Sequence, residues 1–86
     1  MRSELVGKVR HYYMRLGIAS ISLRGRVKVG DTVRIIGTHS DYTQKIRFME
    51  KNHRQVESAM GGDNIALKLT GRIKEHDIVY KILAEE

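Results

Sequence analysis

A glycine–aspartate pair followed by alternating apolar residues occurs twice in this chain and constrains its fold more than any other feature. The first copy is Gly30-Asp31 and the second is Gly62-Asp63. Glycine adopts a positive φ without steric penalty, and aspartate can accept hydrogen bonds from nearby backbone N–H groups, so each pair predicts a tight turn. Each turn leads into residues that alternate with period two, the pattern of a half-buried strand. We therefore interpret these four residues as structural turn residues of a small antiparallel β domain.

The rest of the chain divides into short β segments. The expected strands cover residues 5–14, 18–23, 31–36, 42–50, 54–58, 63–70 and 77–83. No segment keeps apolar residues at the i, i+3, i+4, i+7 spacing of a helix. Six or seven short strands separated by turn signals predict an all-β barrel or sandwich, and a closed barrel would leave no strand edge exposed. The prediction is a single domain over residues 1–86, with an ordered core from about residue 5 to residue 83.

Period-two alternation assigns a face to each side chain of the expected strands. In the first strand, a buried Val9 places His11 and Tyr13 on the inner face with it. The same alternation places on the outer face Lys8, Arg10 and Tyr12. The last strand carries apolar residues on both faces, so we expect it to be covered on both sides or to take part in barrel closure.

The charge balance of the chain favours polyanionic partners. Sixteen Lys and Arg residues against ten Asp and Glu give a formal net charge of +6. That excess favours RNA, ribosomes or DNA as partners, with solubility alone as the alternative. The absence of Cys excludes disulfides, thiolate nucleophiles and cysteine-ligated metal centres. No apolar run is long enough for a secretory signal or a membrane span, so we expect a soluble, cytoplasmic protein with no membrane partner.

Basic residues at alternate strand positions, and in the turns between strands, form a candidate nucleic-acid surface. Lys and Arg side chains that project from one face can follow phosphates, and exposed tyrosines can stack on bases. The candidate residues are Lys8, Arg10, Tyr12, Arg24, Arg26, Lys28, Arg34, Lys45 and Arg47. Because the charges are distributed over several strands, the alternative is a solvated exterior whose lysines protect strand edges.

Residues 37–41 form the clearest loop, since they are small, polar and turn-forming, and the candidate contact region extends to residue 44. Binding residues concentrate on loops that a rigid scaffold holds in place, so this loop is a candidate partner surface. A plain connection between strands is the alternative. The candidate contact residues are Thr38, His39, Asp41 and Tyr42.

No arrangement of residues predicts catalysis or a cofactor. The four histidines lack the His-x-His or His-x-x-x-His spacing of a metal site. His39, Ser40 and Asp41 are consecutive, and adjacent loop residues rarely converge on one point as a catalytic triad must. No glycine-rich stretch precedes a predicted helix whose N-terminus could bind phosphate. We therefore expect no enzyme activity, no cofactor and no metal.

Taken in order, the residues resemble a known family. The blocks VGDTVRI at residues 29–35 and GDNIALKL at residues 62–69 resemble the second domain of translational GTPases such as elongation factor Tu and initiation factor 2. The stretches GKVRHYY at residues 7–13 and GTHSDYTQ at residues 37–44 resemble small stand-alone translation-factor-like proteins of prokaryotes. A similar module lies at the C-terminus of some collagenase-like peptidases. The resemblance covers nearly the whole chain and implies a six-stranded, Greek-key-like barrel.

The resemblance also limits the function that can be expected. The chain has no Gly-x-x-x-x-Gly-Lys-(Ser/Thr) phosphate loop, so we expect it to bind and hydrolyse no nucleotide by itself. In translational GTPases the second domain contacts the GTPase domain and takes part in binding tRNA or the ribosome. The resemblance and the charge together favour a non-enzymatic RNA- or ribosome-associated module. The alternative is an adaptor that docks through its loops on another protein, for example a peptidase or a separate GTPase.

Overall fold

Residues 2–83 are described by the structure, a computed structural model, and they contain β-strands and turns but no helix. The strands are β1 (Arg2–Tyr13), β2 (Ile18–Leu23), β3 (Val27–Lys28), β4 (Thr32–Ile36), β5 (Asp41–Lys45), β6 (Met49–Lys51), β7 (Arg54–Gln55), β8 (Ser58–Ala59), β9 (Asn64–Lys68) and β10 (Ile78–Leu83). The predicted all-β class is confirmed. The predicted count of six to seven strands is wrong, because the described residues form ten. The ends of the predicted domain, residue 1 and residues 84–86, lie outside the described residues.

One predicted strand is divided because its backbone bonds to the first Gly-Asp turn. The N–H of Ile46 donates to the carbonyl of Asp31 at 2.7 Å, and the N–H of Gly30 donates to the carbonyl of Ile46 at 2.8 Å. Ile46 is buried at this point. The chain therefore leaves the ladder after β5 and resumes as β6, where a continuous strand over residues 42–50 was expected.

The pairings of the strands are antiparallel throughout the described residues. Eight strands form a sheet in the order β5-β4-β10-β1-β2-β9-β6-β7, and β3 pairs with β8 in a separate ribbon. Because β5 and β7 stand at the ends of that order, the predicted closed barrel is not found in residues 2–83. β10 lies between β4 and β1, so both of its edges are paired. Val79 is its one buried residue and the other five are half-buried, so the expected covering of both faces stays a prediction.

Side chains join the free edge of β5 to the end of β9, where a backbone ladder is missing. The Gln44 Nε2 donates to the carbonyl of Lys68 at 2.9 Å. The hydroxyl of Tyr42 is hydrogen-bonded to the side chains of Gln44 and Thr70. Tyr42 also packs against the hydrophobic core. The sheet edge is thus covered by hydrogen-bonding side chains, one of the ways in which proteins protect an unpaired strand.

The core is built from the inward residues of the alternating strands. In three strands the predicted alternation is confirmed by burial, and these residues are Ala19, Ile21 and Leu23 in β2, Val33 and Ile35 in β4, and Ile65 and Leu67 in β9. Met49 and Val79 are also fully buried in the same cluster. Each Å² of apolar surface that is buried stabilises the fold by about 25 cal/mol, so this cluster is the main source of stability.

β1 departs from alternation at two β-bulges. Its register shifts between Leu5 and Gly7 against β10, and between Val9 and His11 against β2. A bulge adds one residue to one strand, and it turns the side chains that follow to the opposite face. Val6 and Val9, three residues apart, consequently both lie in the core.

The second bulge reverses the predicted faces at the end of β1. Tyr12 is half-buried against the core, and its hydroxyl donates to the carbonyl of Gly71 at 3.3 Å. His11 and Tyr13 are exposed and stack edge-to-face with ring centroids 4.3 Å apart. The predicted faces of these three residues are wrong, because period-two alternation does not anticipate the extra residue at Arg10.

One turn geometry occurs three times in the described residues. In each copy the Asp N–H donates to the carbonyl three residues earlier, and the Asp Oδ2 accepts a hydrogen bond from the N–H of that same residue. The three pairs are Lys28 with Asp31, Met60 with Asp63, and Lys74 with Asp77. The Oδ2 to N distances are 2.9, 3.0 and 2.9 Å in that order.

The residue before each Asp has a positive φ. The values are 101° at Gly30, 95° at Gly62 and 75° at His76. This is the third position of a type II turn, which normally requires Gly or Asn. His76 therefore occupies a glycine position, and the third turn was not predicted because its sequence lacks the glycine.

We expect the variant His76→Gly to be more stable than His76→Ala by about 1 kcal/mol. A side chain at positive φ costs roughly 1–2 kcal/mol, and the larger conformational freedom of unfolded glycine offsets part of that gain. Both variants remove the imidazole, so their difference isolates the effect of the Cβ atom. Urea unfolding followed by circular dichroism measures both free energies. Equal stability, or a more stable alanine variant, would contradict the strained backbone.

Candidate nucleic-acid interface

A basic concavity of about 460 Å³ lies along the exposed side of β1 and its neighbours β2 and β10. It is lined by Leu5, Gly7, Lys8, Val9, Arg10, Ser22, Arg24, His76 and Ile78, and is called the β1 hollow. Its lining contains three permanent cations and no carboxylate. This composition attracts anions and offers them no repelling group.

Local features of β1 create this hollow. Arg10 is the extra residue of the second bulge, and bulges commonly re-aim a side chain. A Cβ on Gly7 would lie 2.7 Å from the carbonyl oxygen of Ser22, so glycine permits the close approach of β1 and β2. The N–H of Arg24 donates to the carbonyl of Val6 at 2.7 Å, which holds the start of the next segment beside β1.

A second concavity of about 540 Å³ lies over the β3–β8 ribbon. It is lined by Arg26, Lys28, Lys51, Ser58, Ala59, Met60 and Asp63, and is called the β3–β8 hollow. The Lys51 Nζ lies 3.1 Å from Asp63 Oδ1. That ion pair neutralises the carboxylate, so the hollow keeps the charge of Arg26 and Lys28.

Two carboxylates, Asp63 in the β3–β8 hollow and Asp41 at the start of β5, have lowered pKa values. The hydrogen bond from the Met60 backbone N–H, followed by that from Lys51, holds the pKa of Asp63 below its ordinary value of 3.8. The bidentate hydrogen bonds from Arg34, both 2.8 Å long, lower the pKa of Asp41. The same contact raises the pKa of the Arg34 guanidinium. Arg34 is therefore already engaged by a carboxylate on the neighbouring strand.

The structure brings some of the predicted nucleic-acid residues together and separates others. Those that line the β1 hollow are Lys8, Arg10 and Arg24, and those that line the β3–β8 hollow are Arg26 and Lys28. Lys45 and Arg47 are exposed but line neither hollow. Tyr12 and Tyr42 are half-buried and packed against the core.

The predicted partner loop is divided in a similar way. Thr38 and His39 are exposed at its tip, where a partner can reach them. Asp41 is bound by Arg34, and the Tyr42 hydroxyl is held by Gln44 and Thr70. Two of the four residues therefore stabilise the fold at the edge of the sheet.

Sequence reasoning missed several residues that complete the two hollows. Leu5 and Met60 are 44% and 54% exposed, and each is an apolar side chain at one hollow. Lys51, His76 and Ile78 also contribute. Their local sequence patterns indicate turns or strands only, because the hollows arise from packing between strands distant in the sequence.

A separate apolar surface lies at the turn between β1 and β2. Tyr13, Met14 and Leu16 are 48%, 80% and 63% exposed, and we call these three residues the hairpin tip. Met14 also lines a concavity of about 530 Å³ beside Arg72 and Lys74. Contiguous exposed apolar residues commonly mark interaction surfaces.

No helix among residues 2–83 combines the length and apolar character needed to cross a bilayer.

The fold is one that occurs in translation elongation factors. Elongation factor SelB from Methanococcus maripaludis superimposes with a TM-score of 0.72 at 19% identity, covering 90% of this chain and 18% of that one. A higher TM-score, 0.87, is obtained with the C-terminal domain of a U32 peptidase from Geobacillus thermoleovorans, at 22% identity and 93% coverage of both chains. Both likenesses concern the fold.

The chain belongs to the family described as the peptidase family U32 C-terminal domain, which matches residues 1–79. It is 34% identical over 76 residues to the uncharacterized protease MJ0090 of Methanocaldococcus jannaschii. That match covers 87% of this chain and 19% of the relative. The chain thus spans about a fifth of the length of this relative. The resemblances to translation factors and to the peptidase module are confirmed.

We expect the stability advantage of the native protein over Asp63→Asn to shrink as the pH falls. The folded-state pKa of Asp63 lies below its ordinary value of 3.8, so its ionised form stabilises the fold above that pH. The contribution is lost as the pH falls through the folded-state pKa. Urea midpoints of both proteins, measured from about pH 7 down to about pH 2, test this. A difference that stays constant with pH would contradict the lowered pKa.

Proposed function

We propose that this chain is a non-enzymatic module that binds RNA, free or within the ribosome, through the β1 hollow. The observation that carries the proposal is the convergence of Lys8, Arg10 and Arg24 on one concavity without a carboxylate. Two arginines can each make paired hydrogen bonds to a phosphate, and a lysine adds a point charge. Such contacts supply most of the affinity of RNA-binding surfaces.

The wider properties of the chain support this function. Its net charge of +6 favours association with polyanions and speeds their encounter. The similarity of its fold to a domain of translation elongation factor SelB adds support from a protein of the translation apparatus. The three cations that line the β1 hollow are suited to binding an anion.

We expect the double variant Arg10→Ala/Arg24→Ala to bind RNA roughly 25-fold more weakly at about 0.1 M salt. The loss of two phosphate contacts, at a slope of about 0.7 each on a double-logarithmic salt plot, gives this factor. Fluorescence anisotropy with a labelled oligoribonucleotide, repeated over a salt series, measures both affinity and slope.

The matched control is Lys45→Ala/Arg47→Ala, which also removes two positive charges, but from a region outside the hollow. We expect its affinity to stay within about threefold of the native protein, since only long-range attraction is lost. Equal losses for both double variants would assign binding to net charge and remove the β1 hollow from the proposal. Binding of the native protein that barely changes with salt would exclude RNA phosphate recognition altogether.

A second candidate function is protein docking through the hairpin tip. The observation that favours it is the exposure of Tyr13, Met14 and Leu16, together with membership of a family whose relative is about five times longer. A module that forms part of a longer chain in its relative needs a surface that contacts the rest of that chain, and exposed apolar residues can supply it. In this function the chain is an adaptor for another protein, such as the remaining part of a U32 peptidase.

The docking function predicts a nuclease-resistant protein partner. Tagged protein is used to capture partners from native lysate, and half of the sample is treated with nuclease. Under docking, a partner persists after nuclease and is lost with the variant Met14→Ser/Leu16→Ser, because both apolar contacts are removed. The variant Arg10→Ala/Arg24→Ala serves as the control and retains that partner. Disappearance of every partner after nuclease would contradict docking and favour RNA.

A further inference from the structure

Both basic hollows border one short segment, residues 24–28. Arg24 lines the β1 hollow, and Arg26 and Lys28 line the β3–β8 hollow. Exposure alternates along the segment, since these three cations are exposed whereas Gly25 is half-buried and Val27 is buried. The segment therefore presents a row of exposed cations, which we call the basic ridge, and it borders both concavities.

The basic ridge is held in place from several directions. Both Arg24 and Gly25 donate backbone hydrogen bonds to the carbonyl of Val6, at 2.7 and 3.2 Å. Val27 pairs with Ala59 in the β3–β8 ribbon. The ammonium of Lys81 donates to the carbonyl of Arg26 at 2.8 Å. A backbone held at so many points presents its side chains in a preorganised array, which lowers the entropic cost of binding.

Each hollow combines cations with an exposed apolar side chain. Leu5 lies in the β1 hollow beside half-buried Ile78, and Met60 lies in the β3–β8 hollow beside Ala59. Volumes of about 460 and 540 Å³ are within the range of small-molecule sites. A nucleobase has an apolar face and a polar edge, so it fits a site with an apolar wall and a basic rim.

We infer that the RNA bound by this chain is single-stranded and crosses the basic ridge, with its phosphates on Arg24, Arg26 and Lys28 and unpaired bases in the two hollows. This inference rests on the proposed RNA-binding function and specifies the form of the RNA. A duplex keeps its bases stacked and presents mainly phosphates and 2′-hydroxyls. It would leave Leu5 and Met60 without a partner, whereas an unpaired base can pack on each.

The first test compares a labelled oligoribonucleotide of about 12 residues with the same strand annealed to its complement. Fluorescence anisotropy at several salt concentrations gives the affinity for each form. We expect the single strand to bind at least about tenfold more tightly, because a pair of base contacts is available only to it. With five cations engaged (Lys8 and Arg10 as well as the ridge), its double-logarithmic salt slope is expected near −3.5.

The second test separates base contacts from phosphate contacts. The variant Leu5→Ser/Met60→Ser is expected to weaken single-strand binding about tenfold or more without changing the salt slope, because it removes apolar contact and no charge. The variant Arg26→Ala/Lys28→Ala is expected to reduce the slope by about 1.4. Phe48→Ser is the control, since Phe48 is an exposed apolar residue that lines neither hollow.

The outcomes distinguish this inference from the function on which it rests. Duplex binding as tight as single-strand binding, or no effect of Leu5→Ser/Met60→Ser, would overturn the single-strand path and leave RNA binding intact. Failure of both RNA forms to bind with a salt-dependent affinity would overturn the proposed function itself. Displacement of the single strand by polyglutamate at equal charge concentration would show that the ridge recognises charge alone, and this also overturns the inference.

Discussion

The reciprocal hydrogen bonding between an aspartate and the residue three positions before it is the interaction on which the other features depend. Asp31, Asp63 and Asp77 each close a turn in this way, and each turn directs the chain into β4, β9 or β10. A carboxylate that accepts a backbone N–H satisfies a donor that a tight turn would otherwise leave unpaired. Because the three strands bring most of their inward residues to the core, an error in one turn would displace the apolar face that follows it.

The same turns also position the candidate interface. The turn at Asp63 carries Met60 to the edge of the β3–β8 hollow, and the turn at Asp77 carries His76 to the β1 hollow. His76 occupies a position that glycine normally takes, and its side chain lines the β1 hollow. Backbone strain of this kind is found most often at functional sites, where a side chain in an unfavourable conformation serves a purpose that glycine cannot.

The sequence predicted the parts of the fold that follow from local pattern. Alternation in β2, β4 and β9 identified the buried residues, since strands without bulges obey a strict period of two. The bulge at Arg10 broke that rule and reversed the faces of Tyr12 and Tyr13. The third turn was not predicted because His76 stands where the other two turns have glycine. The predicted barrel closure was also wrong for residues 2–83, where the side chains of Tyr42 and Gln44 cover the edge of β5.

By itself, the sequence determined the β class, the two glycine turns, the inward residues of regular strands and the excess of positive charge, because each depends on neighbouring residues or on simple counting. The tertiary structure alone decided which cations lie together. Arg34 is held by Asp41. Lys45 and Arg47 line neither hollow, whereas Arg24, Arg26 and Lys28 form the basic ridge that borders both. That selection depends on the contact of strands far apart in the sequence and on the bulges of β1, neither of which is encoded in the spacing of basic residues.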